Sequence, residues 1–133
     1  MKQGTKQDIV KTRSQLMAQY AWEKTNRALE SKKENFVQLA KGAPALVMAN
    51  GLMQALAYWE ARGKEGGKEL VAILAGWLLR TSRSKDRGFE ELMQNLHEAS
   101  STEFASKTRE ALEQLRWVKQ FASALEKKER QGE

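Results

Sequence analysis

The sequence lacks cysteine, which excludes a disulfide framework and a thiolate metal site. Its only histidine, His97, would have to share a zinc ion with carboxylates alone, a poor ligand set. We therefore expect His97 on the flank of a helix, and no metal or other cofactor. The carboxylates stand mostly four residues from basic side chains, as Glu103 does from Lys107, and not in an acid/base pair. The sequence indicates a protein that binds and not an enzyme.

Valine and isoleucine are also scarce, 7 together, whereas alanine occurs 17 times and leucine 15 times. Because β-branched residues favour strands and unbranched ones favour helices, the composition predicts an all-α fold. The length of 133 residues and the absence of repeats indicate one domain over residues 1–133, with 1–7 and 128–133 frayed. The N-terminal segment shows no export signal, so we expect a cytoplasmic protein.

Hydrophobic periodicity divides the chain into about six helices, which we expect to form a single compact bundle. Asp8 is placed to cap the first helix, which is predicted to end near Glu30. A short amphipathic stretch over Glu34–Ala40 is expected to end at Gly42, before the only proline.

The middle of the chain is mostly apolar. Pro44 is predicted to occupy the first turn of a helix, where its missing N–H costs nothing, and Asn50-Gly51 to close that helix. These residues interrupt the uncharged run over residues 42–59, which favours buried core over a membrane span. Gly63–Lys68 has the composition of a phosphate loop without its spacing, so it is expected only to separate two helices. Leu70–Leu79 is apolar on all sides and is predicted to be the central helix.

The last part of the chain begins with a polar connector, Arg80–Gly88, and a predicted amphipathic helix over Phe89–Ala99. Ser100 and Glu103 have the spacing of a capping box for a final helix that runs to about Lys127. An apolar stripe follows one side of that helix, and we expect it to pack on the domain's own core and not in an intermolecular coiled coil. The stripe comprises Phe104, Thr108, Ala111, Leu115, Val118, Ala122 and Leu125.

The formal net charge of +6 is unevenly spread, because residues 1–50 carry 9 lysines and arginines against 4 acidic residues. Such a surplus attracts polyanions such as nucleic acid, but it is equally typical of a solubilising surface. The better candidate for binding is a group on and after the first helix, since the step from Arg13 to Lys24 returns to nearly the same side. A second group lies in the connector, where it could clasp a phosphate. The first group is Lys11, Arg13, Lys24, Arg27, Lys32, Lys33 and Lys41, and the second is Arg80, Arg83, Lys85 and Arg87.

The tryptophans lie in helical patterns. Trp22 follows Tyr20 on a helix where both cannot face inward, so one of the two is expected to be partly exposed. Beside Lys24 and Arg27, an exposed Trp22 would be placed to stack on a base or to meet a partner protein. The remaining three are predicted to be core: Trp59, Trp77 and Trp117.

Four segments follow one another in a distinctive order. They are Tyr20-Ala21, Pro44–Tyr58, Trp77-Leu78 and Leu115–Ala122, and the most specific is the second, PALVMANGLMQALAY. In this order the chain resembles the small α-helical subunit of type III-B CRISPR effector complexes, the Cmr complexes, over most of its length. The resemblance implies structural roles for the shared motif residues, which are Pro44, Asn50, Gly51 and Leu52.

The same resemblance implies a non-catalytic subunit of a ribonucleoprotein for antiviral defence. Several copies would line up beside the repeated backbone subunit, which holds the CRISPR RNA, and would help to hold the target RNA paired to it. The implied partners are CRISPR RNA and target RNA, through phosphate contacts, the backbone and large subunits, and further copies of the chain, without a membrane. Phosphates would be met by the side of the first helix that carries Arg13 and Lys24.

Two alternatives stay open. A stand-alone DNA-binding regulator would use Phe89–Ala99 and the final helix as a helix-turn-helix with Ser100–Thr102 as the turn. The final helix is long for a recognition helix, and its first turn carries Glu103. A protein-only helical adaptor would assemble without RNA and would tolerate reversal of its charges.

Overall fold

The computed structural model describes residues 10–83 and 86–132, with side chains as far as Glu126. These residues form six α-helices and no strand, which confirms the predicted all-α fold. The helices are α1 (Arg13–Glu30), α2 (Phe36–Asn50), α3 (Leu52–Arg62), α4 (Lys64–Leu78), α5 (Phe89–Glu98) and α6 (Ser101–Gly132).

The first helix begins later than predicted. Its cap is Thr12, so a start after Asp8 is wrong, and Asp8 itself lies outside the described residues. The Thr12 Oγ1 accepts a hydrogen bond from the Gln15 N–H at 3.1 Å, and the Gln15 side chain accepts one from the Thr12 N–H at 2.7 Å. This reciprocal pair satisfies two backbone donors that the helix itself leaves without partners, which fixes the start at Arg13.

One continuous helix, α2, replaces the two short ones that were expected, so Gly42 ends no helix and Pro44 begins none. A proline inside a helix removes a backbone hydrogen bond and typically costs about 3 kcal/mol. Here Pro44 is buried in the same stripe as Phe36 and Val47, and α2 packs against α4 and α6. Burying a large apolar side chain contributes roughly 1.5–3 kcal/mol, so this stripe offsets the loss.

The turn between α2 and α3 lies at Asn50-Gly51, as predicted. Gly51 has a φ of +88°, a left-handed conformation that glycine adopts without steric cost. The next residue, Leu52, begins α3 and is fully buried. Pro44 and Leu52 are therefore buried side chains, and Gly51 forms the turn between α2 and α3.

Close packing explains the glycines at the start of α4. The break between α3 and α4 falls at Gly63, whereas Gly66 and Gly67 lie inside α4. A Cβ on Gly66 would overlap the carbonyl oxygen of Glu34, and one on Gly67 would overlap that of Trp59. The Gly66 N–H also donates to the Glu34 carbonyl at 2.7 Å. These glycines therefore let α4 approach the α1–α2 turn and α3.

The central helix is α4, as its apolar sequence predicts, because it packs against each of the other five helices. Leu70, Ile73 and Leu74 are fully buried along it. Trp59 and Trp77 are also buried in this core, as predicted, and Trp117 packs against its edge.

The final helix begins with the predicted capping box. The Glu103 N–H donates to the Ser100 Oγ, and the Ser100 N–H donates to the Glu103 carboxylate, both at 3.1 Å. Hydrogen bonding of the Glu103 carboxylate to the Ser100 N–H, and also to the Ser100 side chain, holds the pKa of Glu103 below its ordinary value. The apolar stripe of α6 packs on α1 and α2 of the same chain, as expected, although the helix runs to Gly132 and not only to Lys127. Within the ranges described, no helix is both long and apolar enough to cross a bilayer.

Candidate nucleic-acid interface

The α1 cations Arg13, Lys24 and Arg27 lie on one side of the helix, because eleven residues make about three turns. The Lys24 Nζ lies 5.4 Å from the centroid of the Tyr20 ring. The Tyr20 hydroxyl donates to the Ile73 carbonyl at 2.7 Å, and burial raises the pKa of Tyr20 to about 12. Tyr20 therefore stays neutral, and its ring forms a cation–π contact with the Lys24 ammonium group.

Arg13 differs from Lys24 because its guanidinium group is paired with carboxylates of α6. Its Nη2 donates to the Glu110 Oε2 at 2.8 Å, and its Nη1 lies 3.2 Å from the Glu113 Oε1. The hydrogen bond to Glu110 raises the pKa of Arg13. This pairing ties the start of α1 to α6.

The two predicted basic groups meet at Glu110, because Arg80 of the connector binds the same carboxylate. The Arg80 Nη1 and Nη2 donate to the two Glu110 oxygens at 3.0 and 3.3 Å. Burial acts to raise the pKa of Glu110, but the hydrogen bonds from Arg80 and Arg13 outweigh it and hold that pKa below its ordinary value. One carboxylate thus compensates cations from both groups.

Arg80 also has a structural role beyond this pair. Its guanidinium carbon lies 4.1 Å from the centroid of the Trp77 ring, and its Nη1 donates to the Trp77 carbonyl at 2.8 Å. In the rest of the connector, the Arg87 Nη2 donates to the Arg80 carbonyl at 3.2 Å, and Arg83 is exposed. Lys85 lies outside the described residues. Arg80 and Arg87 are therefore held against the end of α4 by these contacts.

The remaining cations of the first group divide in two. Lys41 is paired with Glu126 at 2.7 Å, and the Lys11 Nζ donates to the Gln19 side chain at 3.2 Å. Lys32 and Lys33 lie on the α1–α2 turn, and neither forms an ion pair within the described part of the chain. The unpaired cations of the group thus continue from the second half of α1 into the turn.

Trp22 is the partly exposed aromatic, 46% exposed, but it does not join the α1 cations. Its ring packs edge-on against Phe121 of α6, with centroids 5.2 Å apart, and Phe121 stacks on Trp117 at 5.6 Å. Residues two apart on a helix point in nearly opposite directions, so Trp22 and Lys24 occupy different surfaces. Trp22 and Lys24 therefore do not form one binding surface, and contact of Trp22 itself with a base or a partner protein stays a prediction.

Two cations that the sequence analysis did not single out, Arg109 and Arg116, lie exposed on α6. Together with Arg13 they line an open cleft of ≈ 560 Å³, which also contains Ser106, Leu112, Glu110 and Glu113. Their spacing of seven residues places them on one side of a helix, and this signal was available in the sequence. The surplus of positive charge over residues 1–50 instead favoured the first helix as the binding element.

The helix-turn-helix alternative fits the structure poorly. The second helix of such a motif, α6, has 32 residues and buries its apolar stripe on α1 and α2. Its first turn is closed by Glu103, a carboxylate where a recognition helix needs donors for DNA. His97 is exposed on α5, and the residues that the structure describes contain no cluster of three or more potential metal ligands.

Comparison with known proteins identifies the family. The sequence model of the family described as CRISPR-associated protein (Cas_Cmr5) matches residues 13–125. A protein described as CRISPR system Cmr subunit Cmr5, from Thermus thermophilus, is 38% identical over 117 residues, which make up 87% of this chain and 97% of that protein. A crystal structure of a CRISPR-associated Cmr5 family protein from Thermus thermophilus matches with a TM-score of 0.73 and 39% identity, and the match covers 87% of this chain and 98% of that one. The chain therefore belongs to the Cmr5 family, the small subunits of type III-B CRISPR complexes, in agreement with the resemblance of its four segments.

Proposed function

We propose that this chain is a non-catalytic, cytoplasmic subunit that stacks in several copies beside the backbone subunit of a Cmr complex. There it helps to hold target RNA paired to the CRISPR RNA during antiviral defence. Membership of the Cmr5 family supports its place in the complex. The observation that carries the RNA contact is the pair Lys24 and Arg27, which share one side of α1 and form no ion pair among the described residues.

The unpaired cations are better suited to this contact than Arg13 and Arg80. A phosphate that bound Arg13 or Arg80 would have to compete with Glu110, which already receives three hydrogen bonds from them. An uncompensated cation releases counterions from RNA when it binds, and this release is the main source of affinity for phosphates. Lys24, Arg27, Lys32 and Lys33 outnumber their acidic neighbours on this stretch of α1 and its turn, which are Glu23, Glu30 and Glu34.

Each copy would contribute only a few phosphate contacts, which are weak singly and become useful when they are repeated along an array. Such contacts do not read bases, so pairing with the guide would set the sequence specificity. This division of roles is testable, because it separates affinity from specificity.

The test uses the assembled complex with Lys24→Glu and Arg27→Glu in every copy. We expect weaker retention of target RNA for matched and mismatched targets alike, and a salt dependence whose slope falls by about 1 for each phosphate interaction that the substitutions remove. The matched control is Arg62→Glu with Lys68→Glu, which makes the same change in net charge on the α3–α4 hairpin and is expected to retain RNA.

Two results would refute different parts of the proposal. Unchanged retention of target RNA by a complex that contains the Lys24 and Arg27 variants would refute the proposed RNA contact and favour the protein-only adaptor. Purification of the wild-type chain from its own cells as a free monomer without guide RNA would refute its proposed place in the complex. Native mass spectrometry with RNA extraction from the same sample distinguishes these results.

A further inference from the structure

A second open cleft, of ≈ 310 Å³, lies where α1 meets the end of α4. Two aromatic rings form part of its wall, Tyr20 and Trp77, whose centroids are 5.3 Å apart. Leu16 stands beside them and is 47% exposed, which is unusual for a large apolar side chain. The remaining lining residues are Gln19, Glu23 and Arg80. The cleft therefore suits a small ligand group that is mostly apolar and carries a few polar atoms.

The guanidinium group of Arg80 forms a fixed plane in this cleft. Its central carbon lies 4.1 Å from the centroid of the Trp77 ring, so one face of the plane is covered. Its Nη atoms donate to the Glu110 carboxylate and to the Trp77 carbonyl, which holds the plane in position. The Arg80 side chain is still 38% exposed, and the face away from Trp77 is the one that a ligand can reach. Guanidinium planes of this kind stack on heterocyclic rings.

Two polar groups of the cleft lack a partner. Glu23 is exposed and forms no ion pair among the described residues. The Trp77 indole N–H is buried and donates no hydrogen bond within the part of the chain that the structure describes. A ligand that satisfies both groups needs N–H donors for the carboxylate and an acceptor atom for the indole.

The charges around the cleft disfavour the side chains of a partner protein. Arg80 lines the cleft and the Lys24 Nζ lies over the Tyr20 ring, so both would repel an incoming lysine or arginine. An aliphatic side chain would leave Glu23 and the Trp77 N–H unsatisfied. A nucleobase is flat, carries donors and acceptors on one ring, and is attached to phosphates that cations attract.

We propose that this cleft binds one unpaired base of the RNA, stacked on the free face of Arg80 and hydrogen-bonded to Glu23. The inference rests on the proposed function, namely that α1 contacts RNA, and it adds a site for a base to the phosphate contacts. Lys24 and Arg27 lie about 6 and 10 Å beyond Tyr20 along the helix axis, so cations for the flanking phosphates follow the cleft directly. A base that is paired with the guide has its edge occupied and does not enter.

The Glu23 carboxylate sets an expected preference among the bases. Guanine presents two neighbouring donors, N1–H and the N2 amino group, which match the two oxygens of a carboxylate. Adenine and cytosine present one amino group each, and uracil presents a single N–H between two carbonyls. Two-point contacts of this kind typically discriminate between bases by about tenfold or more. We therefore expect guanine to bind about tenfold more tightly than uracil.

Nuclear magnetic resonance of the isolated chain tests the base contact. The ligands are uridine tetranucleotides whose third nucleoside is uridine, guanosine or inosine, which lacks the N2 amino group. We expect guanosine to shift the indole N–H signal of Trp77 and to bind about tenfold more tightly than uridine, with inosine between them. Glu23→Gln is expected to remove this preference. Glu30→Gln is the matched control, because it removes the same charge from the exposed side of α1 outside the cleft.

A second variant tests the cleft in the assembled complex. Leu16→Trp places a large side chain at the rim of the cleft, and the fold is expected to tolerate it because Leu16 is half exposed. Targets with one unpaired guanosine, moved along the strand, are expected to be retained no better than targets with an unpaired uridine. The salt dependence is expected to stay unchanged, since the phosphate contacts remain. Met48→Trp is the matched control, because it adds the same side chain at a position on α2 that is 69% exposed.

Three outcomes would overturn the inference. The first is equal binding of the guanosine and uridine strands, and the second is a guanine preference that survives Glu23→Gln. The third is loss of the Leu16→Trp chain from the complex with unchanged nucleotide binding, which would assign the cleft to a protein partner. Failure of the proposed function is a separate result, because unchanged retention with the Lys24 and Arg27 variants removes the phosphate contacts, while the tetranucleotide titration still decides whether the cleft binds a base.

Discussion

The two ends of α1 carry cations in opposite circumstances. At the first end, Arg13 faces Glu110 and Glu113 of α6 and fastens the helix to its neighbour. Further along the same side, Lys24 and Arg27 have no carboxylate opposite them among the described residues. The difference shows that a row of basic residues does not by itself locate a binding surface, because carboxylates from distant parts of the chain decide which cations remain free.

The largest expected effect concerns the turn that carries Lys32 and Lys33. Gly66→Val would force a side chain into the backbone of Glu34 and Phe36. This backbone forms the end of that turn and packs directly on α4. We expect a loss of about 3 kcal/mol or more in the free energy of unfolding, measured by urea denaturation. Gly42→Ala is the control, since a Cβ there meets nothing within 4 Å, and in a helix interior it is expected to stabilise by about 0.5–1 kcal/mol. Equal stability of the two variants would contradict this packing.

An intermediate effect is expected at the paired end of α1. Glu110→Gln removes the charge that compensates Arg13 and Arg80, and after allowance for solvent screening we expect a loss of about 1 kcal/mol near neutral pH. Because the pKa of Glu110 is lower in the folded state, its contribution is present above the unfolded pKa and is lost as the pH falls through the folded one. The difference between wild type and variant is therefore expected to shrink in acid. A difference that stays constant with pH would argue against the ion pair.

The smallest effect on stability is expected at the unpaired end. Lys24→Ala with Arg27→Ala removes no ion pair, so the free energy of unfolding is expected to change by about 0.5 kcal/mol or less. Thermal denaturation of the isolated chain measures this. Taken together with reduced RNA retention by the complex, an unchanged melting temperature would sharpen the contrast with Arg13. A large destabilisation would instead assign Lys24 to the fold through its contact with Tyr20.

Local patterns were sufficient for several features of the fold. The capping box at Ser100, the turn at Gly51 and the central position of α4 each follow from residues within one or two helical turns. The predicted start of α1 was wrong, although the deciding residues are also close in sequence. Asp8 and Thr12 are both good N-caps, but only Thr12 has a glutamine three residues later, Gln15, to complete a capping box. The prediction of two short helices in place of α2 was wrong for a tertiary reason. Burial of the stripe that contains Pro44 against α4 and α6 outweighs the missing backbone hydrogen bond.

The candidate site was less predictable, because its decisive contacts join distant parts of the chain. Arg13 and Glu110 are 97 residues apart, and Arg80 and Glu110 are 30 apart. No spacing rule within one helix anticipates such pairs. Arg109 and Arg116 could have been found from their period of seven, but their lack of partners becomes evident only when the folded neighbours are known.

The side-by-side packing of α1 and α6 also determines when this protein can finish folding during its synthesis. The apolar side chains of α1 and α2, such as Met17 and Phe36, leave the ribosome well before the α6 residues that cover them. At ordinary rates of translation that interval is on the order of ten seconds. During this time the nascent chain carries an open hydrophobic face, and the bundle closes only when its last described helix emerges.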